Sequence, residues 1–262
     1  MSALRTTIVS LSFTLLTATS ALAGPPLATD DAGTVDVGKV EVELNGSYTH
    51  DKENAAGVTT KSDRHESEMK VSTGLYEDLG ISLAVPYTFS ARENVNGDVS
   101  KVDGFGDMII ELKYAFAELA GVKLAIKPTV IIPTGKPDLT ENHWQYGATL
   151  IATKELEGGT YALHANLGYE HHTHNDDVTG VRSRLWSGSV AGEMEVTKGL
   201  FAVADFSLGT NPDEEADDLP AYALAGARYE INDHFEVNAG VKLGLTKPED
   251  DISVLYGLLM KF

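Results

Sequence analysis

From about residue 39 to residue 262, apolar and polar side chains alternate with a period of two, and the pattern recurs about twelve times. A period of two belongs to a strand with one dry face and one wet face. In the final segment Ile252, Val254, Tyr256, Leu258, Met260 and Phe262 share one side, and Ser253, Leu255, Gly257, Leu259 and Lys261 share the other. Val40, Val42, Leu44 and Tyr48 oppose Glu41, Glu43, Asn45 and Ser47 in the same way, as do Met108, Ile110, Leu112, Tyr114 and Phe116 against Asp107, Glu111 and Lys113. Segments near 66–76, 144–154, 184–196, 200–209 and 221–230 are weaker, diluted by Gly and Ala. Beyond the first two dozen residues no apolar run approaches the roughly 18 residues of a helical membrane span. A span built of strands leaves no such run to find.

A soluble β-sandwich also alternates, so the joints between segments carry the distinction. Short joints (Glu77–Gly80, Ala117–Gly121, Glu155–Gly159, Thr197–Gly199, Asn232–His234) alternate with mostly longer polar ones at 51–64, 93–103, 134–143, 171–182, 210–219 and 246–250. Short turns at one end and long loops at the other are the mark of an outer-membrane barrel. Outward aromatics sort accordingly. Tyr48, Phe89, Trp144, Tyr146, Tyr169, Trp186 and Phe206 fall near the long-loop end, and Tyr114, Phe116, Tyr161, Tyr229, Phe235 and Phe262 near the short-turn end, as amphipathic rings at two membrane interfaces require. The expected fold is all-β, a transmembrane antiparallel up-and-down β-barrel of about 12 strands over residues 39–262, with 10 or 14 as alternatives.

Ahead of the barrel, Arg5, the mostly apolar stretch Ile8–Ala21 and the small-x-small triplet Ala21-Leu22-Ala23 predict a signal peptide, residues 1–23, that is cleaved on export. Residues 24–38 are then a periplasmic N-terminal segment, and within it Thr29–Val35 is the stretch most suited to enter the lumen. The expected compartment is the outer membrane of a Gram-negative cell, with its lipid as one partner. Phe262, as the final aromatic of the last strand, is expected to engage the barrel assembly machinery. A net charge of −19 argues against nucleic acid as a partner, and the absence of cysteine excludes a disulfide framework and thiolate metal sites.

Several stretches resemble the MetA-pathway of phenol degradation family of outer-membrane proteins, often called transporters. They are Pro26-Leu27-Ala28-Thr29-Asp30-Asp31-Ala32-Gly33-Thr34-Val35, Val85-Pro86-Tyr87, Gly104-Phe105-Gly106-Asp107 leading into Glu111-Leu112-Lys113-Tyr114, and Pro133-Thr134-Gly135. The resemblance implies a barrel linked by name to aromatic catabolism and brings no catalytic set.

The residues themselves assign no catalytic group, cofactor or metal site. Pro133-Thr134-Gly135-Lys136 lacks the first glycine of a phosphate loop, Val130 standing in its place, and no helix follows. His171, His172, His174, Asp176 and Asp177 have ligand chemistry, but as a solvated loop tip they need no such role. The acidic run Asp213, Glu214, Glu215, Asp217 and Asp218 lacks the ligand spacing of a calcium loop. Many serines and eight histidines are present without a motif that pairs any two.

Function is better sought on the inward faces. Glu43, Glu68, Lys70, Glu111, Lys113, Lys127, Glu193, Asp205, Arg228 and Lys242 are the expected pore lining, with Glu41, Glu195, Glu230, Glu236, Lys123 and Lys261 on the same faces. Twelve strands close into a ring roughly 24 Å across, leaving on the order of 12 Å between side chains. Two readings follow: a channel passing small solutes, hydrophobic or aromatic ones if the family name is a guide, or a plugged structural or surface-interaction barrel with cation-binding acidic loops.

Overall fold

The computed structural model describes residues 26–262 except 56–57 and 174–179. The expected signal peptide, residues 1–23, and His174, Asp176 and Asp177 lie outside the described residues.

Thirteen strand segments are described: β1 (Val40–Ala55), β2 (Val58–Tyr76), β3 (Leu79–Val95), β4 (Asp98–Phe105), β5 (Met108–Leu119), β6 (Val122–Ile132), β7 (Gln145–Leu156), β8 (Tyr161–His172), β9 (Arg184–Thr197), β10 (Leu200–Gly209), β11 (Ala221–Asn232), β12 (Phe235–Gly244) and β13 (Ile252–Lys261). Every pairing between them is antiparallel, and β1 closes on β13 from Glu41↔Lys261 to His50↔Ile252. Both β4 and β5 lie along the same edge of β3, β5 against Leu79–Ala84 and β4 against Tyr87–Val95. They are two halves of one stave interrupted at Gly106-Asp107, where Gly106 N–H still donates to the Pro86 carbonyl at 3.0 Å. The barrel therefore has twelve staves, as the alternation predicts. Below the outer hairpins every stave is paired on both sides.

Two joints read from the sequence as loops are strand instead. Residues 51–55 and 58–64 continue the β1–β2 ladder, from Asp51↔Ser62 to Ala55↔Val58, and the β3–β4 hairpin turns on Asn96 and Gly97, both at positive φ (52° and 105°), the geometry that favours Asn-Gly. Alternation fades there because a hairpin standing in water on both faces needs no apolar side. Its backbone ladder continues regardless.

Large apolar side chains cover the outside. Leu44, Leu83, Leu150, Leu163, Leu167 and Val190 are all exposed, a belt that a soluble monomer could not sustain and that lipid accommodates. Aromatics frame it. Trp144 stacks on Tyr146 (ring centroids 6.3 Å) and Tyr169 meets Trp186 (4.7 Å) at the long-loop end.

Residues 26–36 fold up into the barrel. Leu27 is 0% exposed, packed among Ala191, Val203 and Leu224 of three successive strands, a burial of about 1.5–3 kcal/mol for a leucine. Ala32 settles against Ala115, Ala125 and Ile151. Glycines make the room: a Cβ on Gly226 would sit 2.8 Å from Pro26 Cγ. At the mouth Val37 pairs with Gly74, so the segment enters from the short-turn end.

Candidate pore

Parity along the strands turns all ten expected lining residues inward, and the structure sorts them into groups that the sequence leaves unpaired. Lys70, Glu111, Lys113 and Lys127 converge on the plug residue Asp30. Asp30 is 1% exposed and meets Lys113 Nζ at 2.7 Å and Lys127 Nζ at 2.9 Å. Lys127, also 1% exposed, reaches Glu111 at 3.0 Å, and Glu111 reaches Lys70 at 2.8 Å. The result is a charged bar across the lumen, each cation facing a carboxylate. Buried charges persist only when matched in this way.

Asp205 has a different task. Its carboxylate accepts the backbone N–H groups of Ala28 (2.8 Å) and Thr29 (2.7 Å) and the Thr29 hydroxyl (2.9 Å), holding the plug by its main chain. Thr153 Oγ1 accepts Ala32 N–H at 2.9 Å and lies 3.0 Å from His164 Nδ1. The Asn166 amide, with its oxygen toward Asp30 N–H (2.6 Å) and its nitrogen toward Asp30 C=O (2.9 Å), continues the sheet-like clasp.

Glu193 and Arg228 form a second cluster, 2.8 Å apart, with Glu236 at 3.1 Å and Glu230 at 3.2 Å from the same guanidinium. The guanidinium lies 3.7 Å from the Phe201 ring centroid, a cation–π seat. Lys242 pairs with Glu249 (2.9 Å) of the β12–β13 loop and caps the Tyr222 ring. Glu43 and Glu68 enter no ion pair among the described residues. Asp30, Glu249, Phe201 and Tyr222 were not singled out from the sequence. The first two lie in no strand, and inward aromatics resemble any other aromatic in an alternating run.

Among the described residues, two cavities lie beside the plug. An outer one of about 180 Å³ has a wall thinned by Gly147, Gly168, Ser187, Ser189, Ser207 and Gly209. An inner one of about 300 Å³ is bounded by plug residues and by Glu41, Glu43, Ser72, Ser82 and Lys261. Both touch Glu111 and Lys127, so the charged bar separates them.

Of the two loops weighed for metal, the acidic one is wound around the chain's own cation. Arg182 Nη1 donates to the carbonyls of Asn211 (2.8 Å), Asp213 (2.6 Å) and Ala216 (3.2 Å), and Nη2 to Glu214 (3.1 Å). With hydrogen bonds to a charged group worth about 1.5–3 kcal/mol, Arg182→Met is expected to speed amide exchange across 211–216 at least tenfold while the strands keep their protection. Hydrogen-exchange mass spectrometry checks this. In the other loop His172 lies between Glu141 (2.9 Å) and Glu170 (3.2 Å) at the rim of the outer cavity. Among the described residues no group of three or more His, Asp or Glu side chains is placed to hold a metal ion.

A closed barrel with a lipid-facing apolar belt, interfacial aromatics and a charged interior is an outer-membrane β-barrel. The chain belongs to the MetA-pathway of phenol degradation family, whose model matches residues 29–262 and so includes most of the plug. Solved structures share the fold. The COG4313 outer membrane channel from Pseudomonas putida F1 is 15% identical, with a TM-score of 0.70 over 88% of this chain and 98% of that one. The NanC porin is 12% identical, with a TM-score of 0.58 over 84% of this chain and 100% of that one. The Ralstonia pickettii toluene transporter TbuX is 5% identical, with a TM-score of 0.50 over 87% and 90% of the respective chains. No curated protein matches the sequence.

Proposed function

We infer that the protein is a passive outer-membrane channel for small solutes. The observation that carries this is the pair of cavities on either side of the charged bar: a barrel serving only as a scaffold gains nothing from open space on both sides of a plug. Selectivity in such a lumen comes from the charged wall, Glu43, Glu68, Lys70, Glu111, Lys113, Lys127, Glu193, Asp205, Arg228 and Lys242, which sets both the field and the free width. The family description and the toluene transporter of similar fold make aromatic and hydrophobic compounds the first solutes to test.

Single-channel recording in a planar bilayer tests the reading. The wild-type protein is expected to conduct in small, steady steps, and Glu111→Gln and Lys127→Gln are expected to move the reversal potential in opposite directions, toward anions and toward cations respectively. Liposome uptake of a neutral aromatic tests the narrower solute class. A correctly folded barrel that carries no current and takes up no solute would favour the second reading, a plugged structural or surface-interaction barrel. The dense ion pairing around Asp30 is the observation on that side.

A further inference from the structure

We propose that the inner cavity is a binding site for a short aliphatic diammonium, with Glu41 and Glu43 of β1 as its carboxylate partners. This goes beyond the channel reading and does not rest on it, since a molecule can be held there without crossing the plug.

The cavity measures about 300 Å³, at the lower end of the range for small-molecule sites. Its lining carries seven carboxylates and five basic side chains, and ion pairing uses up the two kinds unequally. Lys70, Lys113 and Lys127 are taken by Asp30 and Glu111, and Arg228 by Glu193 and Glu236. Asp31, Glu41 and Glu43 are left, with Lys261 as the remaining cation, and none of these enters an ion pair among the described residues.

Glu43 carries the argument. It is 8% exposed and lines the cavity, and its one hydrogen bond among the described residues is a long one, 3.5 Å from Asn45 Nδ2. A carboxylate buried to that extent calls for a positive partner. The protein brings none into contact: the register neighbours of Glu43 are Leu259 and Lys70, and the Lys70 ammonium is turned to Glu111 at 2.8 Å. Glu41 stands at the next inward position of β1, about 6–7 Å away by strand rise. Beside Glu41, Ser72 and its hydrogen-bonded partner Ser82 (2.8 Å) add hydroxyls to the same wall. Two carboxylates at that spacing suit two ammonium groups joined by a short chain. A calcium ion would ask for at least six oxygens gathered at about 2.3–2.6 Å, and among the described residues no three His, Asp or Glu side chains are so placed. An anion would meet the surplus of negative charge.

Calorimetric titration of the folded, detergent-solubilised protein with putrescine tests the site, at physiological ionic strength, where attraction between exposed charges is largely screened. Saturable binding of one putrescine per barrel is expected, with butylamine, which has a single ammonium, about tenfold weaker or more and succinate not bound. Glu41→Gln and Glu43→Gln are each expected to weaken putrescine about tenfold or more, and Glu53→Gln, exposed on the β1–β2 hairpin, to leave it unchanged. Heat-modifiable gel mobility verifies that each variant forms its barrel, and the comparison of putrescine with butylamine needs no variant. Wild type that does not bind putrescine, butylamine bound as tightly as putrescine, undiminished binding by the folded Gln variants, or an equal loss in Glu53→Gln overturns the site. Each of these leaves the channel reading standing, because that reading is decided by current.

Discussion

Excising residues 26–36 is expected to raise single-channel conductance roughly tenfold, toward that of an open lumen on the order of 12 Å wide. The barrel does not depend on the segment for closure, since the β1–β13 ladder begins at Glu41 and every stave keeps both neighbours. What is lost is the filling: Leu27 from its pocket between β9, β10 and β11, and Asp30 from between two lysines. The excision removes the carboxylates of Asp30, Asp31 and Asp36 while Lys113 and Lys127 stay, so the reversal potential moves toward anions as the current rises. Bilayer recordings of the deletion variant beside wild type read both quantities. An unchanged conductance in a folded deletion variant would mean that something other than this segment limits flow.

Asp30→Ala is the sharper experiment, because it removes one side chain and leaves the plug in the chain. Removing one partner of a buried ion pair costs about 3–5 kcal/mol, and here one carboxylate serves two ammonium groups. Lys127 keeps Glu111 as a partner and Lys113 stays on the barrel wall whether or not the plug is seated, so the penalty falls on seating rather than on the barrel. Against it stand the burial of Leu27, about 1.5–3 kcal/mol, and the hydrogen bonds to Asp205, of similar size for a charged acceptor. With opposing terms so close, the plug is expected to leave and return, giving bursts of high conductance over a low baseline and protease cleavage near residue 30 that wild type resists. Asp30→Asn, which keeps a weaker acceptor, is expected to burst less often. A quiet Asp30→Ala trace would assign the plug's retention to Leu27 and Asp205.

The stave pattern was legible because lipid and water impose opposite demands on successive residues. Wherever one of those demands lapses, the pattern lapses with it. The outer parts of β1–β4 stand in water on both sides and read as loops. The weak segments on β7, β9 and β10 owe their dilution partly to Gly147, Ser187, Ser189 and Gly209, small inward residues that bound the outer cavity. What looked like a poor strand signal was the imprint of space. Parity also places Lys70, Glu111 and Lys127 on the inner face, but not against one another, since contacts across a barrel depend on its stagger. Asp30 lies outside any periodic run, and the residue joining the charges of β5 and β6 therefore had no periodic signature.

The plug's position in the chain also dictates an order of events. Its partners lie far downstream: Lys113 and Lys127 on β5 and β6, Thr153 on β7, Asn166 on β8 and Asp205 on β10. None of these can receive it until most of the sheet exists, and such distant contacts form late. The first residues after the expected cleavage site are thus among the last to find their place. The walls that receive the plug must stand before it can be seated.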